Sequence, residues 1–190
     1  MDFFITGLPR SRTAWLANFL TTGVSYCAHD ALLGVSSFVE LDAKLRALPG
    51  ELRGDSDSAA LLFAPRLFAM YPEARWVVVL RDPEEVVWSL LSMEPYAGIE
   101  KLSATVAKAT VALGIKDTER LYGNPRVHFV EFEALDSMAT LRGIWEWCLG
   151  DRVPWCPERA AMLDVMRVEV IPAKVDVSLP AMASLLASVA

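Results

Sequence analysis

Phe3-Phe4-Ile5-Thr6-Gly7-Leu8-Pro9-Arg10-Ser11-Arg12-Thr13-Ala14-Trp15-Leu16 is the stretch on which the fold turns. Its first four residues are aromatic or β-branched, as a strand buried on both faces requires, and Gly7 and Pro9 stop the run. From Thr13 the period changes: Trp15, Leu16, Phe19 and Leu20 recur at helical spacing, which predicts a helix over Thr13 to Thr21. Strand, turn and helix follow one another directly.

The rest of the chain repeats this alternation. Ser37 and Glu40 are spaced as a capping box before Phe38, Leu41, Leu45 and Leu48, and Pro49-Gly50 ends that helix. Glu51 to Ser58 is polar and reads as a turn-rich connection. Ala59 to Tyr71 resumes a helical pattern that Pro65 should break or restart. Trp76-Val77-Val78-Val79-Leu80 is the clearest strand, apolar on both faces and so expected mid-sheet. Asp82 then offers an N-cap, Pro83 a first helical residue and Glu85 an acid in the first turn. A longer helix is predicted over Leu102 to Leu121 and a strand over Val127 to Phe132. A helix capped by Asp136 should carry Leu141, Ile144, Trp145, Cys148 and Leu149 and end at Gly150. Beyond Pro154 the pattern supports a helix near Glu158 to Met166, an extended piece near Val168 to Ile171 and a C-terminal helix. The order implies an α/β fold of three layers, with a central, mainly parallel sheet and right-handed crossovers. No repeat or linker divides residues 1–190, which are read as a single domain.

Composition narrows the function. The 190 residues are 54% hydrophobic and 22% charged, which excludes a disordered chain. A net charge of −6 argues against a general nucleic-acid binder, because phosphate-backbone affinity needs a broad basic surface. The longest uncharged stretch, Thr13 to His29, is too short and too polar to span a membrane. The start, Met1-Asp2, lacks the basic region of a secretory signal, so a cytoplasmic protein is expected. Cys27, Cys148 and Cys156 form no CxxC pair and are expected to be reduced core thiols.

In an open parallel sheet a ligand lies beyond the carboxyl ends of the strands, where two turns here are basic. The first, Gly7 to Thr13, carries Arg10 and Arg12 with two hydroxyls into a helix N-terminus, where unpaired N–H groups and the dipole favour an anion. The second has Arg81 directly after the central strand and Ser89 two helical turns further on.

The two segments together resemble the sulfotransferases that use 3′-phosphoadenosine 5′-phosphosulfate (PAPS). Phe3 to Leu16 is similar to their 5′-phosphosulfate loop, a strand followed by Pro-(Lys/Arg)-Ser-Gly-Thr-Thr-Trp. Val77-Val78-Val79-Leu80-Arg81-Asp82-Pro83-Glu84-Glu85-Val86-Val87-Trp88-Ser89 is similar to their 3′-phosphate motif, including the Arg-to-Ser spacing. Val130-Glu131-Phe132-Glu133-Ala134-Leu135 more weakly resembles a strand ending in Tyr-Glu-Asp-Leu. The resemblance covers about the first 150 residues and implies a P-loop-like architecture. It further implies sulfuryl transfer from PAPS to a hydroxyl or amine of a small-molecule or carbohydrate acceptor, leaving adenosine 3′,5′-bisphosphate, with no metal. On that basis Pro9, Arg10, Ser11, Arg12, Thr13 and Ala14 would form the 5′ cradle and Trp15 would stack on adenine. Arg81 and Ser89 would take the 3′-phosphate, and Arg10 would also act at the transferring group.

The chain departs from the pattern at Arg12, where the family has Gly, and at Ala14, where it has a hydroxyl. The family's C-terminal Gly-rich cofactor motif is absent from the sequence. For the general base, Asp55 in Gly54-Asp55-Ser56-Asp57-Ser58 is the first candidate and His29, beside Asp30, the second. Two other readings share the strand-loop-helix logic: a P-loop kinase, disfavoured because Gly-x-x-x-x-Gly-Lys-(Ser/Thr) does not occur, and a nucleotide-binding protein of the same fold that has lost catalysis.

Overall fold

The structure is a computed structural model that describes residues 1–93 and 101–165. The extended piece and the C-terminal helix expected beyond residue 166 lie outside the described residues. Strands β1 (Phe3–Gly7), β2 (Ser25–His29), β3 (Leu52–Ser56), β4 (Arg75–Leu80) and β5 (Val127–Glu131) form one sheet in the order β2-β3-β1-β4-β5. Every pairing is parallel. Helices α1 (Thr13–Leu20), α2 (Phe38–Arg46), α3 (Ala64–Met70), α4 (Pro83–Leu91), α5 (Ala104–Glu119), α6 (Met138–Leu149) and α7 (Pro157–Val165) connect or cover the strands. Among the described residues no helix is long and apolar enough to cross a membrane.

Side-chain alternation along the strands explains the layers. Phe3, Ile5, Val77, Val79 and Val130 point to one face and pack with Leu16, Phe19 and Leu20 of α1 and Leu141, Ile144, Trp145 and Cys148 of α6. Phe4, Trp76 and Val78 point to the other and pack with Leu41 and Leu45 of α2 and Leu67 of α3. With both faces covered, β1 and β4 contain the continuous apolar runs by which they were expected. A smaller cluster of Leu8, Val86, Leu90, Ala107 and Val111 joins α4 and α5 to the start of the first loop.

The structure departs from the sequence pattern in two places. Glu51 to Ser58 is not a turn-rich connection, because Leu52–Ser56 is strand β3, between β1 and β2. Its polar character is tolerated because the buried Asp55 and Asp57 accept backbone N–H groups from Ala31 and Leu32. Gly54 is there because a Cβ would lie 2.0 Å from the Phe3 ring. Strand β2 likewise lacks an apolar run and was not expected. Asp136 does not cap α6. Ser137 is the residue before that helix and makes no side-chain cap, while the Asp136 carboxylate reaches Arg12. The expected break near Pro65 takes the form of a 3₁₀ turn, Ser58–Leu61, followed by α3 with Pro65 in its first turn.

Candidate functional site

β1 is the middle strand, and its carboxyl end opens into the loop that carries the first set of arginines. Gly7 is required there, since a Cβ would stand 2.4 Å from the Val79 carbonyl oxygen of the adjacent β4. The loop then turns through two left-handed residues, Arg10 (φ 69°) and Arg12 (φ 57°), on either side of Ser11. Arg12 is the N-cap of α1 and places no side-chain acceptor on the helix. The first-turn N–H groups of α1 therefore have no side-chain cap. The position where sulfotransferases have Gly is thus one that glycine adopts without strain and arginine does not.

The second basic turn folds onto the first. Arg81, at the end of β4, donates to the Arg10 carbonyl, and Arg10 Nε donates to the Ser89 hydroxyl at 3.2 Å. Asp82 caps α4 as expected, accepting from the N–H groups of Glu84 (2.8 Å) and Glu85 (3.0 Å), and so fixes where Ser89 emerges. Two donors at this junction are buried without a hydrogen-bond partner, the Ser11 hydroxyl and Arg81 Nε, the latter with only a long ion-pair contact to the exposed Glu85 carboxylate at 3.5 Å. Buried donors are ordinarily satisfied, so the Ser11 hydroxyl marks a place where an acceptor belongs, and Arg81 Nε one where an anion can replace a weak contact to an exposed carboxylate.

Phe132, in the 3₁₀ turn Phe132–Asp136 after β5, carries both neighbouring guanidiniums against its ring, Arg81 at 4.2 Å and Arg12 at 5.0 Å from the centroid. Arg12 continues to Asp136, 2.6 Å away. Neither Phe132 nor Asp136 was expected to touch the loop. Phe132 carries only the weak Tyr-Glu-Asp-Leu likeness and Asp136 only the helix-cap signal, and neither says which face the turn presents.

His29 ends β2, with its ring 3.4 Å from the Thr13 hydroxyl and 3.4 Å from the Asp30 carboxylate. Thr13 is held from behind, its carbonyl accepting from the Ser56 hydroxyl at 2.7 Å. Burial lowers the His29 pKa, against an opposing pull from Asp57, so the neutral imidazole is favoured. Asp55 sits deeper and is fully buried. One carboxylate oxygen accepts from Ala31 N–H at 3.2 Å and the other has no partner. Burial, then repulsion from Asp57, drives its pKa well up.

The structure therefore brings Arg10, Ser11, Arg12, Thr13, Arg81 and Ser89 together, with His29 at the edge. Pro9 and Ala14 contribute backbone to the loop and first turn, the Ala14 carbonyl accepting from Asn18 at 3.0 Å. Trp15 is half-buried and stacks on Phe19 with centroids 5.2 Å apart, alongside the site. Asp55 lies behind it, within the sheet.

No protein-family profile and no curated protein matches the sequence. Solved structures do match. A sulfotransferase from Alicyclobacillus acidocaldarius aligns over 99% of this chain and 95% of its own, with a TM-score of 0.61 and 17% identity. A mouse sulfotransferase complexed with PAP aligns over 95% of this chain and 72% of its own, with a TM-score of 0.61 and 11% identity. The sulfotransferase domain from the curacin biosynthetic pathway aligns over 97% and 82%, at 0.58 and 16% identity. The chain has the sulfotransferase fold, an α/β fold built on an all-parallel sheet.

Proposed function

We propose that this chain is a sulfotransferase that takes a sulfuryl group from PAPS and passes it to a hydroxyl or amine of a small-molecule or carbohydrate acceptor. The observation that carries this reading is the pair of buried donors without hydrogen-bond partners, Ser11 Oγ and Arg81 Nε, one in each basic turn and joined through Arg10, with only the exposed Glu85 carboxylate 3.5 Å from Arg81 Nε. They fit a ligand with two anionic ends, such as the bisphosphate part of PAPS, because each turn has a donor in need of an acceptor and a guanidinium beside it. When bound, PAPS supplies the activated sulfuryl group.

Arg10, Ser11, Thr13 and the α1 N-terminus would hold the 5′ side, with Arg12 adding a further cation. Arg81 and Ser89 would hold the 3′-phosphate, and the exposed part of Trp15 would offer adenine a surface. Fixed guanidiniums and N–H groups at the loop can stabilise charge that grows on a leaving oxygen, so the proposal needs no metal. For the base, His29 is preferred to Asp55. The imidazole is favoured neutral and part of it faces solvent beside Thr13, whereas Asp55 has no exposed atom to meet an acceptor.

Incubation with sulfur-labelled PAPS and a panel of hydroxyl and amine acceptors tests the proposal. Label should pass to at least one acceptor, and Arg10→Ala and His29→Ala should each abolish the transfer. Binding of adenosine 3′,5′-bisphosphate without transfer to any acceptor would favour the binding-protein alternative.

A further inference from the structure

Arg12 is an arginine in a glycine's conformation, and its side chain is already engaged. It bonds to Asp136 at 2.6 Å across 124 positions of sequence and lies against Phe132 beside Arg81. Among the described residues the Asp136 carboxylate makes no other hydrogen bond or ion pair. Both partners are open to water, with side-chain exposures of 41% for Arg12 and 73% for Asp136. An ion pair this exposed is weak and can exchange, since separating it returns to water a carboxylate that is already mostly hydrated. A phosphate at the loop would carry up to two charges and several oxygens, and would have the stronger claim on the guanidinium.

Resting on the anion-binding reading above, we propose that Asp136 is an internal counter-ion for the loop. It holds Arg12 by a weak bond, competes with the incoming phosphate for it, and so sets how tightly the loop retains its anion. The exchange is local: Arg12 leaves Asp136 for the ligand, while Arg81 keeps its place over Phe132 and its bond to the Arg10 carbonyl. The turn after β5 thereby gains a role in affinity without touching the ligand, which makes Asp136 a positioning residue and not a catalytic one.

Calorimetric titration of adenosine 3′,5′-bisphosphate, and separately of inorganic pyrophosphate, into wild type, Asp136→Asn, Arg12→Gln, the double variant and Glu133→Gln tests this. Because an exposed pair contributes little, Asp136→Asn should bind about three- to fivefold tighter. Arg12→Gln should bind more weakly, and the double variant should match Arg12→Gln, because Asp136 acts only through Arg12. Glu133→Gln removes the same charge from the same turn and should leave affinity unchanged. Equal or weaker binding by Asp136→Asn overturns the proposal, as does a double variant that gains as much as the single one. If pyrophosphate shows the pattern while the bisphosphate does not bind, the counter-ion stands and the PAPS reading falls. If the bisphosphate binds and Asp136→Asn leaves both anions unaffected, the reverse holds. If neither anion binds any form, both fall.

Discussion

Arg10 Nε donates to the Ser89 hydroxyl at 3.2 Å although 79 positions separate the two residues. A side chain assigned to the 5′ side thus touches one assigned to the 3′-phosphate, and the two subsites form one continuous surface. Truncating Ser89 separates their roles. Ser89→Ala should weaken adenosine 3′,5′-bisphosphate binding by roughly ten- to a hundredfold, as one hydrogen bond to a charged group implies, and should barely affect AMP, which lacks the 3′-phosphate. Calorimetric titration of both nucleotides checks this. Equal losses would mean that Ser89 acts through Arg10.

Arg12→Gly should leave stability unchanged or slightly raised while weakening bisphosphate binding about tenfold. The glycine relieves a left-handed conformation that costs an ordinary residue about 1 kcal/mol, partly offset by greater freedom in the unfolded chain. The ion pair that is lost is exposed and weaker than that. Chemical denaturation and titration of the same preparation test both halves, and tighter binding by the glycine variant would show that Arg12 obstructs the loop.

The strands that fold against helices on both faces were legible in the sequence: β1 and β4 are apolar runs because neither face meets water. β3 was not, because Arg53-Gly54-Asp55-Ser56 has the composition of a turn. What makes it a strand is non-local, namely its register against Phe3 to Ile5 and the backbone donors that its carboxylates find after β2. The basic turns were legible as turns at the carboxyl ends of β1 and β4. The partners that converge on them, Phe132, Asp136 and the His29–Thr13 contact, depend on how distant elements meet and leave no local pattern.

Gly54→Ala tests that packing. The added methyl would meet Phe3 ring atoms at 2.0 to 2.5 Å, and the ring is fully buried with nowhere to retreat. A loss of about 3 kcal/mol in the denaturant-derived stability is expected. A loss below about 1 kcal/mol would show that β1 and β3 can separate locally.

Two acids follow β2 and β3, and burial pushes Asp30 and Asp57 up to about 6, with Lys44 opposing the rise at Asp30 and Asp30 adding to it at Asp57. Between about pH 4 and 6 the folded protein then binds more protons than the unfolded chain, so these groups stabilise it at low pH and that contribution is lost as pH rises through the window. His29 works in the opposite sense, since its lowered pKa means stability lost as pH falls below the ordinary 6.5. Asp30→Asn isolates the acid term, and asparagine tolerates the positive φ of 55° found there. Between pH 4 and 7 the melting temperature of the variant should fall less, or rise more, than that of wild type. Parallel curves would show that Asp30 ionises normally.

Calorimetric titration of the wild-type chain with adenosine 3′,5′-bisphosphate, against ATP with magnesium, tests the central claim most directly. The two basic turns, with Ser11 and Arg81 donors that lack hydrogen-bond partners, predict saturable one-to-one binding of the bisphosphate without any metal, and much weaker binding of ATP with magnesium. Preference for ATP with magnesium, or no heat with the bisphosphate, would contradict it.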